Sequence, residues 1–282
     1  MIEILHAGVS TLVQDFGRPG FAHLGVSPSG AADLNSFRRA NAFVGNAAEA
    51  ASLEIVPPGF TCLLRTDVTL ALTGAPAVAH LDGQPIPHDA VFAARAGQQL
   101  RLDASTWGVR TYLAVRGGIR VTPVLGSRSY DTLSHLGPPP CQVGDVLPIG
   151  EDTDEQHWRA PAPLERFREV LSVPMVTTVD IDWVDATRLA SHTYAVTAGG
   201  SRAALRLHGA PLVPLRHDNF PPQGLVRGAV QVPPDGVPII FLADHPVTGG
   251  YPVIGVADLA VTDRLAQLRP GDTLQFTPRS AS

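Results

Sequence analysis

The sequence predicts a mainly β protein, a barrel or sandwich of many short strands with few helices. Three observations lead there. Glycine (27) and proline (26) are plentiful among the 282 residues while aromatics make up only 6%, which favours frequent turns over long helices. Hydrophobic residues reach 44% against 17% charged, enough to bury a core and too many for a disordered chain. Most apolar runs are short and bounded by Gly, Pro or Asp-Gly, as strands are.

Taken in order, the first periodic segment is helical. Asp33 is placed to cap a helix over 34–44, with Leu34, Phe37, Ala40, Asn41 and Val44 on one face and Gly45 ending it. Asn46 with Glu49 offers a second cap for a short continuation to Ser52. Strands follow over 68–73, ended by Gly74, and over 77–81, where Asp82-Gly83 is a hairpin turn into 84–86. Two more are expected over 98–102 and 110–115, the second stopped by Gly117-Gly118. Residues 151–163 turn acidic and proline-bearing, a linker between an N-terminal domain over 1–150 and a C-terminal domain over 164–282. Beyond it a helix is expected over 181–190, with Trp183 and Leu189 inward. Strands are expected over 193–196, 204–207, 228–232 and 239–242. The halves close on similar phrases, Gly144-Asp145-Val146-Leu147 and Gly271-Asp272-Thr273-Leu274, as two related barrels would.

The chain contains no lysine, so all 21 of its Lys and Arg residues are arginine. That excludes a Walker-type phosphate loop, Schiff-base chemistry, a lysine general base and covalently carried biotin. HExxH, GxSxG and a helix-opening GxGxxG are missing, and the ten histidines are scattered, so no metal site is expected. Cys62 and Cys141 form no CxxC pair and suit a reducing compartment. A net charge of −5 with no basic cluster argues against nucleic acid as a partner. No apolar stretch approaches the roughly 18 residues of a membrane span, and Met1 leads into Ile2-Glu3-Ile4 with no basic leader. A cytoplasmic protein is expected.

Three polar clusters lie in Gly/Pro-dense segments. In the first, Gln14 to Gly20 and Gly25 to Gly30, a rigid loop before a helix can turn backbone N–H groups toward an anion, with Arg18 adding a bidentate contact. The same residues also suit a plain turn tied by an Asp15–Arg18 pair. In the second, Arg116-Gly117-Gly118 is followed by Gly126-Ser127-Arg128-Ser129, fitted either to close ligand approach or to a surface salt bridge. The third is the densest. Gln231 to Gly236 leads through an apolar strand into Asp244-His245, then Thr248-Gly249-Gly250-Tyr251. A chain reversal at Gly249-Gly250 would bring carboxylate, imidazole, hydroxyl and phenol together, able to orient an amide and polarise its carbonyl. Asp244 and Thr248 serving only to tie the loop is the alternative.

VQDFGRPGFAHLGVSPSGAAD, ANAFVGN, LEI, YLAVRGGI, LGSRS, GAVQVPPDGVPIIFLADHPVTGGYP and LAQLRPGD, in order over nearly the whole chain, resemble one family. It is the allophanate hydrolase subunit 2, or biotin-dependent carboxyltransferase, family. The C component of bacterial 5-oxoprolinase and the antagonist of a sporulation-kinase inhibitor belong to it. The resemblance implies tandem cyclophilin-like β-barrel domains with a few short helices. It also implies a complex with a smaller partner, of the 5-oxoprolinase B type or kinase-inhibitor-like, and with the A component of 5-oxoprolinase. Where the family has TGGYPK, Val253 follows Pro252 here; where it has SDR-M-G, this chain has Gly200-Ser201-Arg202-Ala203-Ala204. Pro222-Gln223-Gly224 replaces SEG, and Pro138-Pro139-Pro140-Cys141 replaces a glycine- and arginine-bearing loop.

The expected function is that of a non-carrier subunit of a heteromeric, ATP-dependent hydrolase opening an amide or lactam, of the type of the 5-oxoprolinase C component. ATP dependence would belong to the complex. In that picture Asp244, His245 and Tyr251 are catalytic, while Arg18, Arg128, Gln231, Asp235, Thr248, Gly249 and Gly250 bind substrate. Two alternatives stand beside it. One is a urea carboxylase-like carboxyltransferase component using biotin borne on another protein. The other is a non-enzymatic regulator that binds a kinase-inhibitor-like partner.

Overall fold

The computed structural model describes residues 1–154, 159–166, 169–216 and 220–280. The chain forms two units. The first holds Met1–Arg18, Ser29–Asp131 and His135–Glu165; the second holds Pro19–Pro28, Thr132–Ser134 and Arg166–Ser282. Of the expected linker over 151–163, residues 155–158 lie outside the described residues. Its start is paired with the first unit, Ala47 N–H donating to Asp152 O at 3.0 Å and Asp154 N–H to Gly45 O at 3.0 Å.

Two antiparallel sheets make the first unit. One has six strands in the order Val146–Leu147, Ile2–Ala7, Phe60–Leu64, Gln99–Ser105, Ala77–Leu81, Gln84–Ile86. The other has five, in the order Ser10–Gln14, Ser52–Val56, Thr111–Val115, Val68–Gly74, Ala90–Ala94. Period-two alternation decides what each face does. Leu70 and Leu72 join Ile2, Phe60 and Leu100 in the main core, while Ala71 turns to the opposite face. There the helix Leu34–Val44 lays Phe37, Ala40 and Val44 over Ala71, Tyr112 and Ala114. Asp33 caps it, accepting from Ser36 N–H at 2.9 Å, and Gly45 ends it at φ 68°. Asp82 and Gly83 take φ 49° and 78°, as a tight hairpin between twisted strands requires.

The expected helical continuation from Asn46 to Ser52 is not formed. Asn46 is buried, and its amide donates to Asn41 Oδ1 (2.9 Å) and Val115 O (2.8 Å) while accepting from Gly117 N–H (2.7 Å). A side chain joining a helix end to a strand end is not available to cap another helix, and Ser52 opens a strand instead.

The second unit is a closed barrel of seven strands. In order they are Val170–Thr177, Val253–Ala257, Ala229–Gln231, Ile239–Phe241, Ala204–His208, Tyr194–Val196 and Thr273–Arg279. The last returns to the first as a parallel pair, from Val170 opposite Thr273 to Val176 opposite Arg279. Leu171, Val173, Met175, Leu205, Val230, Ile240, Ile254 and Phe276 fill the interior. Instead of a helix over 181–190 there is a 3₁₀ turn, Val179–Trp183, then a strand Val184–Asp185 paired with Val213–Pro214. The Asp185 carboxylate accepts from Thr187 N–H (3.0 Å) and Oγ1–H (2.6 Å), a local turn that competes with helix. Leu189 is nonetheless buried. The helix Leu259–Leu265 is invisible to sequence periodicity because seven residues are too few to show a period.

The two Gly-Asp phrases share one turn. Asp145 Oδ2 accepts from Gln142 N–H and Asp272 Oδ2 from Arg269 N–H, both at 2.7 Å, after Gly144 and Gly271 at φ 92° and 91°. Among the described residues no helix is long and apolar enough to cross a membrane.

Both cysteines are buried, and burial pushes each thiol up to about 12. A thiol held protonated at neutral pH is a poor nucleophile. Ellman's reagent at pH 8 should therefore leave the native chain uncoloured and titrate both thiols in guanidinium. Rapid labelling of native protein would contradict the burial.

Candidate functional site

The barrel unit carries a cavity of about 430 Å³. One wall comes from Trp183 and Val184, a second from Pro214, Arg216 and Phe220, and the rest from Val232-Pro233-Pro234 and Gly250-Tyr251-Pro252. Trp183 and Phe220 meet edge to face, centroids 4.9 Å apart at 80°. The Arg216 guanidinium sits 5.3 Å from the centre of the Trp183 ring, a cation–π contact. Hydrogen bonds tie the 3₁₀ turn and the residue before it to neighbouring strands. Asp180 Oδ2 accepts from Gln223 Nε2 at 2.8 Å, and Thr178 Oγ1 donates to Val253 O.

The 248–252 loop is held from beneath by Gln231. That buried amide donates to Tyr251 O at 3.0 Å. It lies so close to Gly249 that a Cβ built there would stand 2.5 Å from Gln231 Nε2, so a larger residue would push the amide off its bond to Tyr251. Thr248–Gly249 pairs with Gln223–Gly224, leaving Gly250 and Tyr251 exposed at the cavity mouth. Asp235 is exposed and closes its own turn by accepting from Val237 N–H at 3.1 Å.

Asp244 and His245 do not line this cavity with Tyr251, contrary to the expectation from sequence. Asp244 is fully buried, accepting from Arg202 Nε (2.9 Å) and Nη2 (3.2 Å) and from Thr132 N–H (2.9 Å) and Oγ1–H (2.8 Å). A buried carboxylate needs such partners, and both of its oxygens are engaged. His245 is buried too, its Nδ1 2.8 Å from Pro246 O. Sequence reasoning missed Arg202, although in a chain without lysine a buried carboxylate calls for an arginine. It also missed Phe220 and Arg216, which no motif marks, and turned Trp183 into a helix core.

In the first unit the glycine-rich loop does surround an anion, and the anion is Asp15. Its Oδ1 accepts from Gly17 N–H (2.8 Å), Ser127 Oγ (2.6 Å) and Ser129 Oγ (2.6 Å), and its Oδ2 from Arg128 N–H (2.6 Å). Arg18, expected to bind a substrate anion, is buried and donates to Val124 O at 3.3 Å and to Ser129 O. Arg128 donates from Nε to Val121 O at 3.1 Å and lies 3.8 Å from Asp152. Among the described residues no three His, Cys, Asp or Glu side chains cluster as metal ligands do.

The family described as "Carboxyltransferase domain, subdomain A and B" matches residues 24–278. The sequence is 35% identical over 280 residues to the C component of 5-oxoprolinase from Escherichia coli (strain K12), covering 98% of this chain and 90% of that protein. It is 30% identical over 311 residues to urea amidolyase of Saccharomyces cerevisiae, covering 99% of this chain but only 17% of that one. The solved K. lactis urea amidolyase superposes with a TM-score of 0.90 at 29% identity, over 98% of this chain and 18% of that chain.

Proposed function

Because the chain belongs to the carboxyltransferase domain family, subdomains A and B, we propose that it is the C component of an ATP-dependent 5-oxoprolinase. One observation carries this reading: the match to the Escherichia coli 5-oxoprolinase component runs end to end, over 98% of one chain and 90% of the other. Against urea amidolyase the chain spans under a fifth of a much longer protein. Val253, where the family pattern has a lysine, is packed with Leu225, Ala229 and Phe241 and offers no cation.

In this reading the chain binds and orients a small lactam while its partners bring ATP. A Walker-type loop is excluded by the lack of lysine, and the glycine-rich N–H groups that could hold a phosphate are already engaged by Asp15. Tyr251 faces the substrate from the cavity mouth, with Gln231, Gly249 and Gly250 setting its position. Asp244 with Arg202 acts as a positioning pair, fixing the start of the loop that runs through His245 and Thr248 to Tyr251.

Reconstitution tests it. Co-expressed with 5-oxoprolinase partners of the A and B types, the chain should form glutamate and ADP in equal amounts from 5-oxoproline and ATP, and alone it should form neither. An assembled complex that left 5-oxoproline untouched and carboxylated urea with a biotin carrier would overturn the assignment.

A further inference from the structure

We propose that the Trp183–Tyr251 cavity takes small carboxylates with a flat apolar body, and that Arg216 receives the carboxylate and sets this specificity. The choice of 5-oxoproline as probe rests on the function proposed above; the site itself rests on geometry. Among the described lining residues Arg216 is the one charged side chain. Its guanidinium lies against the face of Trp183, whereas those of Arg18 and Arg202 are spent on backbone carbonyls and a carboxylate. Of the acids near the cavity walls in sequence, Asp180 accepts from Gln223 and Val253, Asp185 from Thr187, and Asp235 from Val237, while Asp182 beside Trp183 is exposed and is not part of the lining.

The remaining walls are apolar. Trp183 and Phe220 brace each other edge to face, and prolines, which have little conformational freedom to lose on binding, stand on the other sides. Tyr251 is 44% exposed at the mouth, an aromatic face that a flat ligand would cover. A volume near 430 Å³ admits a single-ring acid with room for a partner group. An arginine at one end of an aromatic slot discriminates by charge, since a carboxylate meets two guanidinium donors while a neutral amide of the same shape meets fewer.

Titration calorimetry on the isolated chain tests this with 5-oxoproline and 2-pyrrolidinone, the same lactam ring without its carboxylate. The acid should bind at least about tenfold tighter, a charge-assisted contact being about 1.4 kcal/mol or more. Arg216→Gln should erase the difference, and Arg216→Lys should restore part of it. Because Arg216 is exposed, both variants should keep the wild-type circular dichroism. Tryptophan quenching by the acid should vanish in Trp183→Phe. Equal binding of both compounds, no binding of either, or undiminished selectivity in Arg216→Gln would overturn the proposal. The two readings fail separately. A complex that turns over with an unchanged KM in Arg216→Gln loses the site and keeps the function. Carboxylate selectivity in a chain whose complex forms no glutamate keeps the site and loses the function.

Discussion

Replacing Asp244 with Ala should destabilise the chain by about 3–5 kcal/mol, the cost of stranding one member of a buried ion pair. Arg202 and Asp244 have side chains only 6% and 0% exposed, so water cannot replace the lost partner. The substitution also strips the acceptor from Thr132 N–H and Oγ1–H. Arg202→Met should cost a similar amount, by taking the guanidinium from a carboxylate that stays buried. The double variant Arg202→Met/Asp244→Leu should be milder than either single one, because the pair is then removed whole and neither charge is stranded. Urea unfolding of the four proteins measures this. A loss under about 1 kcal/mol in Asp244→Ala would mean that the pair is solvated and Asp244 is available for chemistry after all. Loss of activity in that variant would by itself not identify a catalytic carboxylate; activity must be compared in Asp244→Asn, which keeps the shape and an acceptor for the Thr132 donors.

The next largest effect is expected at Asp15. Four donors converge on its carboxylate, two of them backbone N–H groups that cannot turn away. Asp15→Ala should cost about 2–4 kcal/mol, since buried donors left unsatisfied forfeit their hydration. Asp15→Asn should recover little, because the amide nitrogen would face donors. The emptied nest should accept a small anion: formate should raise the melting temperature of Asp15→Ala and leave the native chain unchanged. A wild-type melting temperature in Asp15→Ala would show that the loop needs no internal anion, reopening it to an external one.

How far each feature was legible from sequence follows from how far apart its determinants lie. The Asp33 cap, the Asp82-Gly83 hairpin and the Gly-Asp turns are each settled within a few residues, and composition together with short apolar runs determined a mainly β chain. The missed helix at Leu259–Leu265 and the mistaken one over 181–190 mark the lower limit, where two or three turns give periodicity little to count and, in the second, a local Asp185–Thr187 turn decides. The sites obey the opposite rule. Asp244 finds Arg202 across 42 positions and Thr132 across 112, and Asp15 finds its serines 112 and 114 positions away. A sequence lays down the buried charge and its obligation to be paired; which partner answers is decided when strands distant in the chain become neighbours, because Coulomb and hydrogen-bond energies depend on spatial distance alone. The sequence by itself thus determined the fold class, the absence of lysine chemistry and the polar loops. Only the tertiary structure decided that Asp15 and Asp244 are buried with every carboxylate oxygen hydrogen-bonded, and that Trp183, Arg216 and Tyr251 share a cavity.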